Sequence, residues 1–169
     1  MSSEQHDVEF AEFVRDSRVR LRRLAFLLSG DWHRAEDIVQ IALARVYSRW
    51  PAIRLEVGLD AYVRRAVVNA AIDEKRRPWR REDATDVVPD SAVPSDRELP
   101  VRLLEALALL PARQRAVVVL RYIEDLDVDS TAALLGIATG TVKSQAAKGL
   151  AAMRVLLAGG TVGAGLDQS

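Results

Sequence analysis

Cysteine is absent from the 169 residues, which excludes disulfides and cysteine-ligated metal sites and fits a reducing compartment. Histidine is nearly absent: His6 and His33 stand in different segments and cannot supply an imidazole cluster. No apolar run approaches the roughly 18 residues that a membrane span requires, so no membrane insertion is expected. The opening residues, Met1 to Asp7, are polar and carry Glu4 and Asp7, unlike a secretory signal. A cytoplasmic location is the expectation. The chain also lacks a Gly-rich phosphate loop, a nucleophile elbow and a clustered carboxylate–histidine set. His33, Glu36 and Asp37 come nearest to a metal site, but they read more simply as the first turn of a helix. The expectation is no enzyme, no cofactor and no metal.

An excess of one charge is missing too, with 24 basic residues against 24 acidic. The balance hides a segregation. Residues 9–81 hold 16 Lys and Arg against 10 acids, residues 82–98 hold one Arg against six acids, and residues 99–157 hold seven against five. An anionic partner responds to the field within a Debye length of about 8–10 Å, so the local sign matters more than the sum.

What is present is helical periodicity, with no sustained period-two alternation. Residues 82–98 (EDATDVVPDSAVPSDRE) are acidic, contain Pro89 and Pro94 and have no apolar period, which predicts a flexible linker. The tail, 158–169, has four glycines and no period, which predicts disorder. In the first block, residues 8–81, Phe10, Phe13, Val14, Leu21, Leu24, Ala25 and Leu28 form one apolar stripe, stopped by Ser29-Gly30, with Asp31 able to cap the next helix. Ala35, Ile38, Val39, Ala42, Leu43, Val46, Tyr47 and Trp50 form a second stripe, which Pro51 should end. Leu59, Val63, Ala66, Val67 and Ala70 form a third, with Asp60 as its candidate cap and Pro78 as its stop. The second block, 99–157, reads as four shorter helices: Leu99 to Leu109, one opened by Pro111 and running to about Tyr122, one capped by Asp127, and a last from about Gly140 to Leu157. The fold class is therefore all-α, two small helical domains on either side of the linker.

The most specific local feature is STAALLGIATGTVKSQAAKGL, residues 130–150. A short helix meets Gly136, which supplies a left-handed turn; Ala132 lets two helices approach and Val142 plugs the angle between them. That spacing is a helix-turn-helix. At about 100° per residue, Val142, Ala146, Leu150, Met153 and Leu157 share one face of the last helix and Thr141, Ser144, Gln145 and Lys148 the other. A solvated exterior would explain polar residues there, but the turn favours a helix aimed at DNA.

Two surfaces in the first block stand out. On the second helix, Asp37, Gln40, Ile41, Ala44 and Ser48 face away from the core stripe, a mix closer to a protein-binding patch than to a Lys- and Glu-rich exterior. On the third, Arg65, Asn69, Ile72 and Arg76 form a ridge, with Arg64, Val68 and Lys75 beside it. KRRPWRR follows at 75–81, five cations around Trp79, suited to phosphates and unstacked bases.

Three stretches in this order, AEDIVQIALARVYSRW, DAYVRRAVVNAAIDEKRR and LPARQRAVVVLRYIEDLDVDSTAALLGIATGTVKSQ, resemble the sigma-70 family, specifically its small extracytoplasmic-function (ECF) group and most closely its actinobacterial members. The resemblance covers about 10–81 and 99–157. It implies a sigma factor that binds core RNA polymerase and directs initiation by recognising promoter −10 and −35 elements. In the first domain, called sigma region 2, Asp37, Val39 and Gln40 match the core-binding motif that docks on the β′ clamp coiled coil, with Ile41 beside them as a further candidate contact. Arg54 to Asp60 match a loop that captures a flipped base. Arg65, Asn69, Asp73 and Arg76 match the −10-reading helix, and Arg64, Lys75 and Arg77 beside them are further candidate −10 contacts. In the second, sigma region 4, Thr141, Lys143, Ser144 and Lys148 match the −35 recognition helix, with Gln145 a further candidate contact on its face; the β flap of polymerase, promoter DNA and an anti-sigma factor are implied partners. Gln145 stands where many members have Arg. Gly149 lies inside the recognition helix, where glycine costs about 1 kcal/mol relative to alanine. The reading set against this one is a helix-turn-helix regulator acting without polymerase, which predicts dimers on palindromic sites.

Overall fold

The computed structural model of the chain describes residues 2–75 and 99–159. Arg76, Arg77, the acidic stretch 82–98 and the tail beyond Gly159 lie outside the described residues. The chain divides into two compact units, Met1–Asp96 and Arg97–Ser169, and every element among the described residues is helical.

The first unit holds α1 (Ser3–Ser29), α2 (Trp32–Ser48), α3 (Trp50–Ile53) and α4 (Leu59–Lys75). Helix α1 starts well before its apolar stripe. Ser2 and Gln5 form a reciprocal capping box, so polar residues that carry no apolar period still enter the helix. It ends at Gly30, whose φ of 77° lets its N–H reach the Phe26 carbonyl at 2.7 Å. One residue later Asp31 caps α2 by accepting from the His33 and Arg34 N–H groups at 2.8 and 3.2 Å.

Three differences from the sequence expectation follow from local chemistry. Pro51 does not end α2, which has already stopped at Ser48; it occupies the first turn of α3, where its missing N–H has no partner to lose. Asp60 is not a cap but lies inside the first turn of α4. Val68 is fully buried and is no part of an exposed ridge. The core is formed where α1 and α4 both pack on α2, and Leu24, Ile38, Val39, Val46, Val63 and Val67 are all buried there. Each such side chain contributes about 1.5–3 kcal/mol.

The second unit holds α5 (Val101–Leu109), α6 (Ala112–Val118), a π turn (Val119–Ile123), α7 (Val128–Leu135) and α8 (Thr139–Ala158). Pro111 precedes α6 as expected, but the helix continues as a π turn, which inserts an extra residue per turn and re-aims Arg121 and Tyr122. Asp127 caps α7 by accepting from the Ser130 N–H at 2.7 Å, and Gly136 ends α7 in the left-handed conformation, φ 66°. Val117, Ala132, Val142 and Ala146 form the core of the α6–α7–α8 corner, with Val128, Leu135 and Ile137 against it.

Candidate nucleic-acid interface

The last helix is positioned before it is decorated. Gly136 turns the chain, Val142 sits fully buried in the corner, and α8 then packs along α6. The approach of α8 to α6 is close at one point. A Cβ at Gly149 would lie 2.5 Å from Cγ2 of Val118. The interior glycine is therefore required by packing, and it belongs to the buried face of α8, not to the face turned outward.

Lys143, Ser144 and Lys148 are exposed on α8, and Thr141 and Gln145 are half-buried on its flanks. Among the described residues, Lys143 and Lys148 have no hydrogen-bond or ion-pair partner. Their charge is thus available to an external anion. Beside the start of α8, Arg121, Asp127, Val128, Asp129, Thr139 and Lys143 line an open recess. Arg121, carried by the π turn, is a member of this surface that the sequence reading missed. One of its nitrogens donates to the Leu126 carbonyl at 2.7 Å, and its guanidinium lies 5.2 Å from the Tyr122 ring centre. The Ser130 N–H bond holds the Asp127 carboxyl below the usual carboxylate range, so the cap is charged at neutral pH.

In the first unit the expected residues separate into two kinds. Gln40 is exposed and Asp37 and Ile41 are half-buried on the outer side of α2. Val39 is only 1% exposed, so it packs inside the core and presents nothing to a partner. Sequence periodicity had already put it in the core stripe; only the family motif drew it to the surface. On α4, Arg65 and Asn69 are exposed and Arg64 and Ile72 are half-buried. Asp73 is exposed and pairs with Arg45 of α2 at 3.3 Å. Lys75 ends the α4 backbone.

Arg54 departs furthest from its expected part. Its guanidinium clamps Glu9 of α1 through two hydrogen bonds, Nε to Oε1 at 2.5 Å and Nη2 to Oε2 at 2.8 Å. This fork geometry holds the Glu9 carboxyl below its usual range and raises the Arg54 guanidinium. Arg54 is therefore engaged within the fold, with its side chain only 16% exposed. Nothing local in sequence announces a partner 45 residues away. Glu36, read as the edge of a first turn, is likewise held by Arg18 at 2.9 Å and Arg22 at 2.5 Å.

Two family models match the chain: Sigma-70 region 2 over residues 13–81 and Sigma-70, region 4 over residues 101–153. The RNA polymerase sigma-E factor of Streptomyces coelicolor is 39% identical over 153 residues, covering 87% of this chain and 85% of that protein. The ECF RNA polymerase sigma factor SigM of Mycobacterium tuberculosis is 33% identical, covering 88% of this chain and 76% of that protein. Among solved structures, the sigma factor RpoE of Bartonella quintana, in complex with the anti-sigma factor NepR, superposes with a TM-score of 0.69 at 25% identity. It covers 88% of this chain and 96% of the other.

Proposed function

Because the chain belongs to the ECF group of the sigma-70 family, in its actinobacterial type, we propose that its two units divide promoter recognition between them. The protein is a sigma factor. It binds core RNA polymerase and directs initiation at promoters by recognising −10 and −35 elements. A regulator acting without polymerase leaves the region 2 match without a purpose. Sigma factors are non-enzymatic initiation factors, and this chain works by binding alone. Among the described residues no helix is long and apolar enough to cross a membrane. We place the protein in the cytoplasm, with its polymerase.

Residues 8–81 are assigned to polymerase and the −10 element, and residues 99–157 to the −35 element. The outer side of α2, with Asp37, Gln40 and Ile41, docks on the clamp coiled coil of polymerase. The Arg65–Asn69 side of α4, flanked by Arg64 and continued by Lys75, Arg76 and Arg77, engages the opened −10 strand. Lys143, Ser144 and Lys148, with Thr141 and Gln145 at the flanks, enter the major groove at −35. An anti-sigma factor is a further partner, as for the solved relative. The observation that carries this division is the α7–turn–α8 geometry, which leaves the Lys143 and Lys148 cations unpaired on the outward face of a buried-sided helix.

The test is reconstitution. Purified chain added to core polymerase should start run-off transcripts at defined promoters. Asp37→Ala with Gln40→Ala should weaken core binding at least tenfold while changing stability by no more than about 0.5 kcal/mol. Unaltered binding in that titration would remove α2 from the polymerase interface. Sequence-specific DNA binding as a dimer, with no transcript from core, would restore the regulator reading.

A further inference from the structure

The loop between α3 and α4 cannot hold its own shape. It presents Leu55 at 77% exposure and Val57 fully exposed, so neither apolar side chain anchors it. Its own bonds are two short turns, Glu56 N–H to the Ile53 carbonyl at 3.0 Å and Leu59 N–H to the Glu56 carbonyl at 3.1 Å. Helix α3, from which it departs, has four residues and no side-chain cap, far below the length at which a helix is stable alone.

Helix α1 reaches both ends of the loop, firmly at the near end and through one exposed ion pair at the far end. At the near end Glu9 grips Arg54, whose side chain is only 16% exposed. At the far end Arg20 pairs with Asp60 at 3.8 Å. Around the near end the attachment is reinforced. Tyr47 donates to Asp7 at 2.5 Å, and Trp50, buried at 2% exposure, is enclosed by Phe10 and Phe13 with ring centres at 5.1 Å. Two consecutive turns of α1, residues 7–13, thus converge on α3 and on the C-terminal end of α2.

We infer that Glu9 is a positioning residue for −10 recognition: by clamping Arg54 it fixes the shape of the loop 55–58 that receives the flipped base. The inference rests on the base-capture reading of that loop. It changes the part assigned to Arg54 from contact with DNA to support of the residues that make it. The bidentate fork suits this, because two parallel hydrogen bonds fix orientation as well as distance.

The measurement is promoter preference, not total activity. Full-length protein with core polymerase is presented with a promoter library in which every −10 position is varied, and the relative opening of each sequence is read. Misfolding lowers all sequences alike and leaves their ratios unchanged; a displaced loop alters the ratios at one position. Glu9→Gln should flatten the preference at a single −10 position by about threefold to tenfold. Arg54→Gln should flatten the same position, and the double variant should do no more than either single. Leu55→Ser with Val57→Ser probes the loop directly and should alter that position too. If the Leu55/Val57 variant changes the profile but Glu9→Gln does not, the positioning role is overturned and base capture stands. If the Leu55/Val57 variant leaves the profile intact, base capture itself is wrong for this loop and the inference goes with it. If Arg54→Gln flattens the profile and Glu9→Gln does not, or if their effects add in full, Arg54 touches DNA directly and the inference is again overturned.

Discussion

The two units use arginine in opposite ways. In the first, arginines join helix to helix by gripping carboxylates: Arg18 and Arg22 on Glu36, Arg20 on Asp60, Arg45 on Asp73, Arg54 on Glu9. In the second, arginines grip backbone carbonyls. Arg115 donates to Leu107, Ala108 and Leu110, Arg102 to Leu157 and Arg121 to Leu126. The first arrangement depends on the ionisation of its partners and is weakened by salt. The second satisfies backbone carbonyls, those of α5 and α8 at helix ends and that of Leu126 in a loop, which neither pH nor moderate salt removes. Unit 1 is tied by charge; unit 2 is tied by shape and caps.

The sharpest test is Arg115→Met. Arg115 is 3% exposed, and removing its guanidinium takes a donor from the Leu107, Ala108 and Leu110 carbonyls at the end of α5, of which Leu107 keeps the Leu110 N–H. A loss of about 3–5 kcal/mol is expected, comparable to the whole stability of a domain this small. Urea unfolding followed by circular dichroism should show the helices of residues 99–159 melting first. A loss under 1 kcal/mol, within the range of ordinary surface substitutions, would break the contrast. In the first unit the comparable loss should come from packing: Ile38→Ala is expected to cost about 2–5 kcal/mol.

Next is Gly149→Ala. The added methyl meets Val118, and overpacking of this kind costs about 1–3 kcal/mol, against which the better helix propensity of alanine returns up to about 1. Adding Val118→Ala should relieve the clash. If Gly149→Ala stabilises the protein without that second change, the helices are not in close approach.

Acid sharpens the comparison in a different way. Glu9 is held below its ordinary value of 4.5, chiefly by the hydrogen bond from Arg54. Asp127 is held below 3.8, chiefly by the Ser130 N–H. For a depressed carboxylate the stabilisation is complete above the ordinary value and fades as pH falls through the lower, folded one. Both units should therefore loosen below about pH 4, and Glu9→Gln or Asp127→Asn should remove the respective part of that dependence. Salt separates them: at neutral pH, 1 M salt (a Debye length of about 3 Å) should weaken the Glu9–Arg54 tie and leave the Asp127 cap in place. Equal salt response in both variants would contradict the distinction.

The smallest effect on folding, and the most informative on function, belongs to Lys143 and Lys148. Neither holds the fold, so alanine at either should leave stability within about 0.5 kcal/mol. Lys148, near the centre of the outward face, should relax preference at one −35 position by about 1–3 kcal/mol. Lys143, nearer the edge and beside the recess, should lower affinity for all sequences and reduce the salt slope by about one. Binding to a −35 library at two salt concentrations distinguishes these outcomes.

The contrast also explains what could be read from the sequence. Features set by neighbours along the chain were legible: the Asp31 and Asp127 caps, the left-handed Gly30 and Gly136, the apolar stripes and the corner around Val142. Features set by distant partners were not. Arg54 and Glu9 meet across 45 positions, and Gly149 looked like a defect until Val118 was seen against it. The early start of α1 lay in a capping box with no apolar period, and the π turn that re-aims Arg121 leaves no mark in a pattern of apolar residues. Pro51 misled because proline stops a helix only in its interior, and here it stands in a first turn.

The enclosure of Trp50 by Phe10 and Phe13 has a spectroscopic consequence. All three tryptophans precede residue 80, and the only aromatic residue after it is Tyr122. Emission excited at the red edge of the protein band therefore reports on the first unit and is silent about the second. Trp50 is buried among aromatic rings, whereas Trp32 stacks on Phe26 at 3.9 Å with the Arg22 guanidinium 4.9 Å away, a polarised and partly wet setting. The colours of Trp32 and Trp50 should differ, so loosening of the α1 clamp should be visible as a red shift of the Trp50 component in the unlabelled free protein or its complex with DNA.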